Sequence, residues 1–196
     1  MTDEALPELL AAGREGGPSP RGAFQSRVPP GARHRIELWR ANGMSIGSLE
    51  GRWLRTVSIA YSSTERWIAA GGFAGGVAVW ETATGALVSL FPDLEADAGA
   101  DGRLPLLFAG GDSVLVCGGR SLTFIDTTLW KTARAIEQPT AALRASADPL
   151  RIAAYEAGDN KCTRWTLNVK SMEIEGADLL RETRVYRALF AGRRAS

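Results

Sequence analysis

Short apolar runs, separated by glycine-rich or polar turns, follow one another along the chain from residue 34. The clearest stretch is IAAGGFAGGVAVWETATGALVSLF, residues 68–91, in which turns containing Gly75 and Gly85 separate the runs. Short runs of this composition between such turns are typical of β-strands. Apolar and polar residues alternate only partly, which indicates strands that are covered on both faces. The pattern therefore predicts an all-β fold of short antiparallel strands.

The order of strands and turns recurs at a regular spacing. Aligning the third strands of successive rounds places Trp39, Trp80, Ile125 and Trp165 in one column, at separations of 41, 45 and 40 residues. A period of about 40–45 residues is typical of a four-stranded propeller blade. We therefore predict a partial β-propeller, with its blades at residues 34–52, 53–91, 104–136 and 140–176.

The first of these blades contains only its third and fourth strands, so the prediction amounts to about three and a half blades. Known propellers close with about four to eight blades. An open end would expose strand edges and the apolar face of the terminal blade, which favours aggregation. We therefore expect another chain to complete the ring.

Residues 66–91 resemble a repeat of the WD-repeat β-propeller family. They contain a strand, a turn of small residues, a strand that ends in Trp80, and a Thr-Gly hairpin at Gly85. The resemblance implies that Trp80 fills the space between blades, while Gly75 and Gly85 supply the backbone freedom of the turns. It also implies a fold that presents loops to protein partners and carries out no chemistry.

The sequence departs from that family in the polar groups that often brace a blade. Ala74 stands where the family has an aspartate in the middle turn, and His34, the single histidine, lies in the wrong place. The Trp-Asp pair is also degraded, for example to Trp80-Glu81. We therefore expect apolar packing to hold these blades together.

The two flanking segments lack the strand pattern. Residues 13–33 contain five Gly and four Pro, so we expect residues 1–33 to form a flexible N-terminal linker. Residues 178–191 place Leu179, Tyr186 and Phe190 on one helical face, with Asp178 as the N-cap. This pattern predicts a C-terminal helix in residues 177–196, with an added strand as the alternative.

Composition narrows the range of partners and compartments. The 196 residues include 23 basic and 22 acidic side chains, and a net charge of +1 gives no overall field that attracts nucleic acid or an anionic membrane. No apolar stretch reaches the roughly 18 residues of a membrane span, and the N-terminus does not read as a signal peptide. We expect a cytoplasmic protein in which Cys117 and Cys162 are reduced core thiols.

No motif in the sequence indicates catalysis, a cofactor or a metal. The loop at residues 92–103 is acidic, but Ala98 and Leu104 stand where a calcium loop needs Gly and Glu. The glycine pairs fit neither GxGxxG nor a P-loop. We expect no enzymatic activity and no cofactor.

The function that this reading favours is a protein–protein interaction platform, either a homo-oligomer or part of a hetero-complex, with no nucleic-acid partner. Two alternatives stay open: a structural subunit anchored by its N-terminal linker and C-terminal helix, and a ligand- or nucleotide-binding regulatory domain. Trp53 and Trp67 fit a core position equally well. The candidate partner-binding residues are Arg52, Trp53, Arg55, Arg66, Trp67, Tyr155, Leu179, Tyr186 and Phe190.

Overall fold

The computed structural model describes residues 16–32, 34–50, 56–73, 75–95, 104–158 and 161–181, and these residues form sixteen β-strands without a helix. The strands of the first half are β1 (Gly16–Pro18), β2 (Phe24–Arg27), β3 (Arg35–Arg40), β4 (Ser45–Glu50), β5 (Thr56–Tyr61), β6 (Trp67–Gly72), β7 (Val77–Glu81) and β8 (Leu87–Phe91). Those of the second half are β9 (Leu106–Ala109), β10 (Val114–Cys117), β11 (Leu122–Asp126), β12 (Lys131–Ile136), β13 (Ala142–Ala145), β14 (Arg151–Gly158), β15 (Lys161–Asn168) and β16 (Glu173–Arg181).

The strands form four antiparallel sheets of four, in which strands adjacent in the chain are also adjacent in the sheet. We call these sheets blade 1 (β1–β4), blade 2 (β5–β8), blade 3 (β9–β12) and blade 4 (β13–β16). Such a meander needs only short connections, and the turns between the short apolar runs supply them. The predicted all-β fold of four-stranded antiparallel blades is therefore confirmed.

Three buried hydrophobic clusters lie between successive blades. Leu38 and Trp80 belong to the cluster between blades 1 and 2, and Val79 belongs to the one between blades 2 and 3. Phe124 and Leu167 belong to the cluster between blades 3 and 4. Blades 2 and 3 therefore bury both of their faces, which explains why their strands alternate only partly. Among the described residues, no hydrophobic cluster joins blade 4 to blade 1.

Blade 1 is complete, which corrects the assignment of residues 13–33 to a linker. β1 and β2 lie inside that segment, and β2 pairs with β3 in a register that places Phe24 opposite Arg40. Phe24 and Val28 are buried in the cluster between blades 1 and 2. Two bulky apolar residues are sufficient because only one face of β2 packs against another blade. The described residues therefore form four complete blades instead of three and a half.

The C-terminal end of the described chain also differs from the prediction. β16 pairs with β15 from Glu173 to Arg181, so residues 177–181 extend a strand where we expected the first turn of a helix. Pairing with β15 gives the backbone groups of this segment their hydrogen bonds, so no N-cap at Asp178 is needed. The rest of the predicted helix, with Tyr186 and Phe190, lies outside the described residues.

The register of each blade corrects the column of aligned residues. An irregularity in the pairing of the third and fourth strands falls immediately before Trp39, Trp80, Ile125 and Leu167. Five residues after this position, blades 2, 3 and 4 each have a residue of positive φ: Gly85, Trp130 and Met172. Leu167 is therefore the fourth member of the column. Trp165 lies two residues before the column, so blade 4 carries its bulky side chain at a different position of the strand.

Candidate functional site

The face of blade 1 that points away from blade 2 is polar and has no described neighbour. Trp39 lies on this face, half-buried, with the Arg27 guanidinium 5.5 Å from the centre of its ring. Arg27 and Arg35 donate to Glu37 at 2.9 and 2.8 Å. The hydrogen bond from Arg27, with that from Arg35, holds the pKa of Glu37 below its usual range. In blades 2 and 3 the column residues Trp80 and Ile125 pack on the preceding blade, whereas no blade that precedes Trp39 is among the described residues.

The face of blade 4 that points away from blade 3 is polar as well. Arg164 pairs with Asp178 at 3.2 Å, and Tyr155 is buried beside Arg164 and Arg144. Burial raises the pKa of Tyr155, although the two arginines oppose that shift. Polar residues therefore occupy a face that is apolar in the other blades.

Equivalent positions in the other blades show how unusual this face is. The register places Arg164 at the position of Ile36, Val77 and Leu122, and Thr166 at the position of Leu38, Val79 and Phe124. All six of those apolar side chains are buried between blades. The expected exposure of apolar faces at the two ends is therefore wrong, since both end faces carry charged groups. A polar outer face is what keeps the terminal repeat of a stacked array soluble.

A second polar feature joins neighbouring blades at the turns between their first and second strands. Glu65, in the turn of blade 2, is buried and has a φ of 62°. Its carboxylate accepts hydrogen bonds from the Ser19 hydroxyl and the Arg21 backbone N–H in the turn of blade 1, both at 2.5 Å. Burial raises the pKa of Glu65, but these hydrogen bonds outweigh it and the pKa lies below its usual range.

Asp112 makes the same connection from the turn of blade 3 to the turn of blade 2. Its φ is 69°, and its carboxylate accepts from the backbone N–H and hydroxyl groups of Ser63 and Thr64, at 2.7 to 3.0 Å. Burial again raises the pKa, and the four hydrogen bonds lower it to below its usual range. We call Glu65 and Asp112 the turn braces.

The braces occupy the same position relative to the pairing of the first and second strands. In each blade, a residue at the end of the first strand pairs across the turn with a residue of the second strand. These pairs are Pro18 and Gln25, Tyr61 and Ile68, Phe108 and Leu115, and Ala145 and Ile152. The fourth residue after the first member of each pair is Gly22, Glu65, Asp112 or Pro149. Only blades 2 and 3 therefore carry a carboxylate there. The sequence prediction missed both braces, and the signal was an acidic residue at one position in two successive repeats.

The candidate partner-binding residues do not form one site in the described part of the chain. The Arg66 guanidinium lies 4.4 Å from the centre of the Trp67 ring, and Trp67 meets Trp130 of blade 3 edge-on at 5.4 Å. Trp67 therefore contributes to the junction between blades 2 and 3. Tyr155 lies on the outer face of blade 4, and Leu179 is exposed on the edge strand β16. Arg52, Trp53, Arg55, Tyr186 and Phe190 lie outside the described residues.

The described residues contain no cluster that favours metal or nucleophilic chemistry. No group of three or more His, Cys, Asp or Glu side chains among them is arranged to hold a metal ion. Cys117 and Cys162 are buried free thiols, and burial raises the pKa of both.

A depression of about 610 Å³ lies beside Trp39 and Arg27, on the open face of blade 1.

No helix in the described part of the chain is long and apolar enough to cross a membrane.

Comparison with known proteins defines the fold and leaves the activity open. No protein-family model matches this chain, and no curated protein sequence matches it. Among solved structures, it is similar to the hydrazine synthase of Kuenenia stuttgartiensis, with a TM-score of 0.71 and 11% identity over 87% of this chain and 50% of that chain. It is also similar to a mitotic checkpoint complex, with a TM-score of 0.65 and 14% identity over 84% of this chain and 49% of that one.

The chain thus spans about half the length of the solved chains that it matches. At sequence identities of 11% and 14%, the structural similarity concerns the fold alone. Together with the four sheets, it establishes a propeller-like arrangement of blades.

Proposed function

We propose that this protein is a WD-repeat-like module that serves as a non-catalytic protein–protein interaction platform, and that another chain completes its propeller. The observation that carries the proposal is the pair of outer faces on blades 1 and 4. Every described face between them is covered by a neighbouring blade, and these two are not. A partner that supplies further blades would cover both.

The chemistry of these faces defines the contact that we propose. Arg27, Glu37, Arg164 and Asp178 place charged groups on them, so the partner surface is polar and carries charges of both signs. Polar interfaces of this kind form between proteins that also exist separately. Because exposed ion pairs are screened by salt, the affinity should fall as ionic strength rises.

The alternative function, a structural subunit anchored by its N-terminal linker, has less support. Residues 16–32 form the first two strands of blade 1 and belong to the folded module. No described cavity or cluster favours the regulatory ligand-binding reading over the platform. We also propose a cytoplasmic location, on the basis of the composition and the buried free thiols.

The proposal is tested by reversing one charge on the outer face of blade 4. In Arg164→Glu the pair with Asp178 becomes repulsive, and we expect proteins that co-purify with the tagged chain from its source cells to be recovered at a lower ratio. The matched control is Arg134→Glu on blade 3, which reverses a comparable exposed pair with Glu173 of blade 4. Equal recovery with the two variants, both folded by circular dichroism, would contradict the proposal.

A further inference from the structure

The turn between the first two strands of blade 4 matches the turns that receive the braces. The receiving turns of blades 1 and 2 begin with Ser19 and Ser62, and the turn of blade 4 begins with Ser146 at the same position. Blade 3 has Ala109 there, and no described carboxylate of blade 4 reaches its turn. A serine at this position therefore accompanies a received carboxylate in both described cases.

The exposure of these serines reflects what lies next to them. Ser19 and Ser62 are buried, at 4% and 0% exposure, because the following blade covers them. Ser146 is exposed, and the backbone N–H of Ala147 has no hydrogen-bond partner among the described residues. Ala147 is equivalent to Ser63, whose N–H donates to Asp112. The N–H of Asp148, equivalent to that of Thr64, already donates to the Ser146 hydroxyl oxygen at 3.3 Å. The turn of blade 4 therefore presents two of the donor groups seen in the other turns, the Ser146 hydroxyl and the Ala147 N–H, without an acceptor for either.

The charge of Asp148 in this turn is partly offset by Arg151. Its carboxylate accepts from the N–H of Leu150 at 2.9 Å and pairs with Arg151 at 3.3 Å. Arg151 also pairs with Glu175 at 2.7 Å, so it reduces only part of the repulsion that an incoming carboxylate would meet.

We propose that the turn at residues 146–150 binds an aspartate or glutamate side chain of the polypeptide that continues the propeller beyond blade 4. This inference rests on the proposed function and specifies the partner: its adjoining blade carries an acidic residue at the position of Glu65 and Asp112. A second copy of this chain offers Gly22 at that position and brings no carboxylate. The turn thus favours a different polypeptide over self-association through blade 1.

The test gives blade 1 the missing carboxylate. Gly22 has a φ of 77°, close to that of Asp112, and a Cβ added to it meets no atom within 4 Å. Aspartate and asparagine both tolerate this conformation. We expect Gly22→Asp to associate with itself about tenfold more tightly than Gly22→Asn in sedimentation equilibrium, since hydrogen bonds to a charged group are strong. In Gly22→Glu, the counterpart of Glu65, adding Ser146→Ala should remove most of that gain, because the equivalent Ser19 hydroxyl donates to Glu65.

Two results would overturn the inference. One is an equal dissociation constant for Gly22→Asp and Gly22→Asn, with Gly22→Glu as a second acidic variant in case the first folds poorly. The other is self-association of the unmodified chain as tight as that of Gly22→Asp. Neither result bears on the Arg164→Glu experiment, which reports partner recovery and requires no self-association, so the two proposals fail separately.

Discussion

The two junctions of blade 3 are built differently. On the side of blade 2, the carboxylate of Asp112 accepts four hydrogen bonds from Ser63 and Thr64, in addition to the apolar contacts. On the side of blade 4, the equivalent position is Pro149, and the junction depends on a cluster that includes Phe124 and Leu167. Proline has a fixed negative φ and no carboxylate, so it cannot act as a turn brace.

This difference separates two ways of holding blades together. Apolar packing contributes most of the free energy but tolerates small shifts of one sheet on another. A carboxylate that accepts several hydrogen bonds requires one geometry and fixes the relative position of two turns. We therefore expect blades 1 to 3 to behave as one braced unit and blade 4 to be the first blade to separate.

The largest effect should come from the apolar cluster of the unbraced junction. Phe124→Ala removes a fully buried side chain between blades 3 and 4 and should lower the free energy of unfolding by about 3–5 kcal/mol. Urea unfolding measures this change, and hydrogen exchange of blade 4 amides shows whether that blade opens first. Exchange that rises equally in all four blades would contradict the separate behaviour of blade 4.

Acidic pH should weaken the braced junctions selectively. The folded-state pKa values of Glu65 and Asp112 are lowered, so their stabilisation is present above the pKa of the unfolded chain, near 4, and is lost as pH falls through the folded values. We expect the melting temperature of the wild type to fall between pH 5 and pH 3 by more than that of Glu65→Gln/Asp112→Asn. Parallel pH profiles would show that the braces do not contribute.

These braces also show which parts of the fold the sequence could predict. The four-stranded repeats follow from local turns and apolar runs, and those features are visible in single segments such as residues 66–91. Glu65 bonds to residues more than forty positions away, and its partner is fixed only once the blades stack. Ser19 begins a turn of the same length as the turn at Ser62, but in a segment rich in Gly and Pro that resemblance is hard to see.

The misassigned column has a similar cause. Aligning tryptophans treats a large side chain as the marker of a structural position, which holds for Trp39 and Trp80. In blade 4, Trp165 occupies the position of Ala78 and Thr123, and Leu167 occupies the column. Neighbouring positions on a strand share the volume between two blades. A large residue can therefore occupy either position while the total side-chain volume stays the same.

Removing one brace should have an intermediate effect. Asp112→Asn keeps the shape of the side chain but loses its charge and one acceptor, and should cost about 1–2 kcal/mol in urea unfolding. The amides of Ser63 and Thr64 should exchange faster, since they donate to Asp112. Asp148→Asn is the matched control, because Asp148 bonds within its own turn and to Arg151. A larger loss in the control than in Asp112→Asn would contradict the role of the brace.

The smallest effect should come from the exposed ion pair across the unbraced junction. Arg134 of blade 3 lies 3.5 Å from Glu173 of blade 4, and both side chains are largely exposed to solvent. Exposed pairs contribute about 0–1 kcal/mol, because water and salt screen them. Arg134→Ala should therefore change the urea midpoint less than Asp112→Asn does. An equal or larger change would mean that blade 4 has a polar brace of its own, on the outer strands of the sheets instead of at the turn.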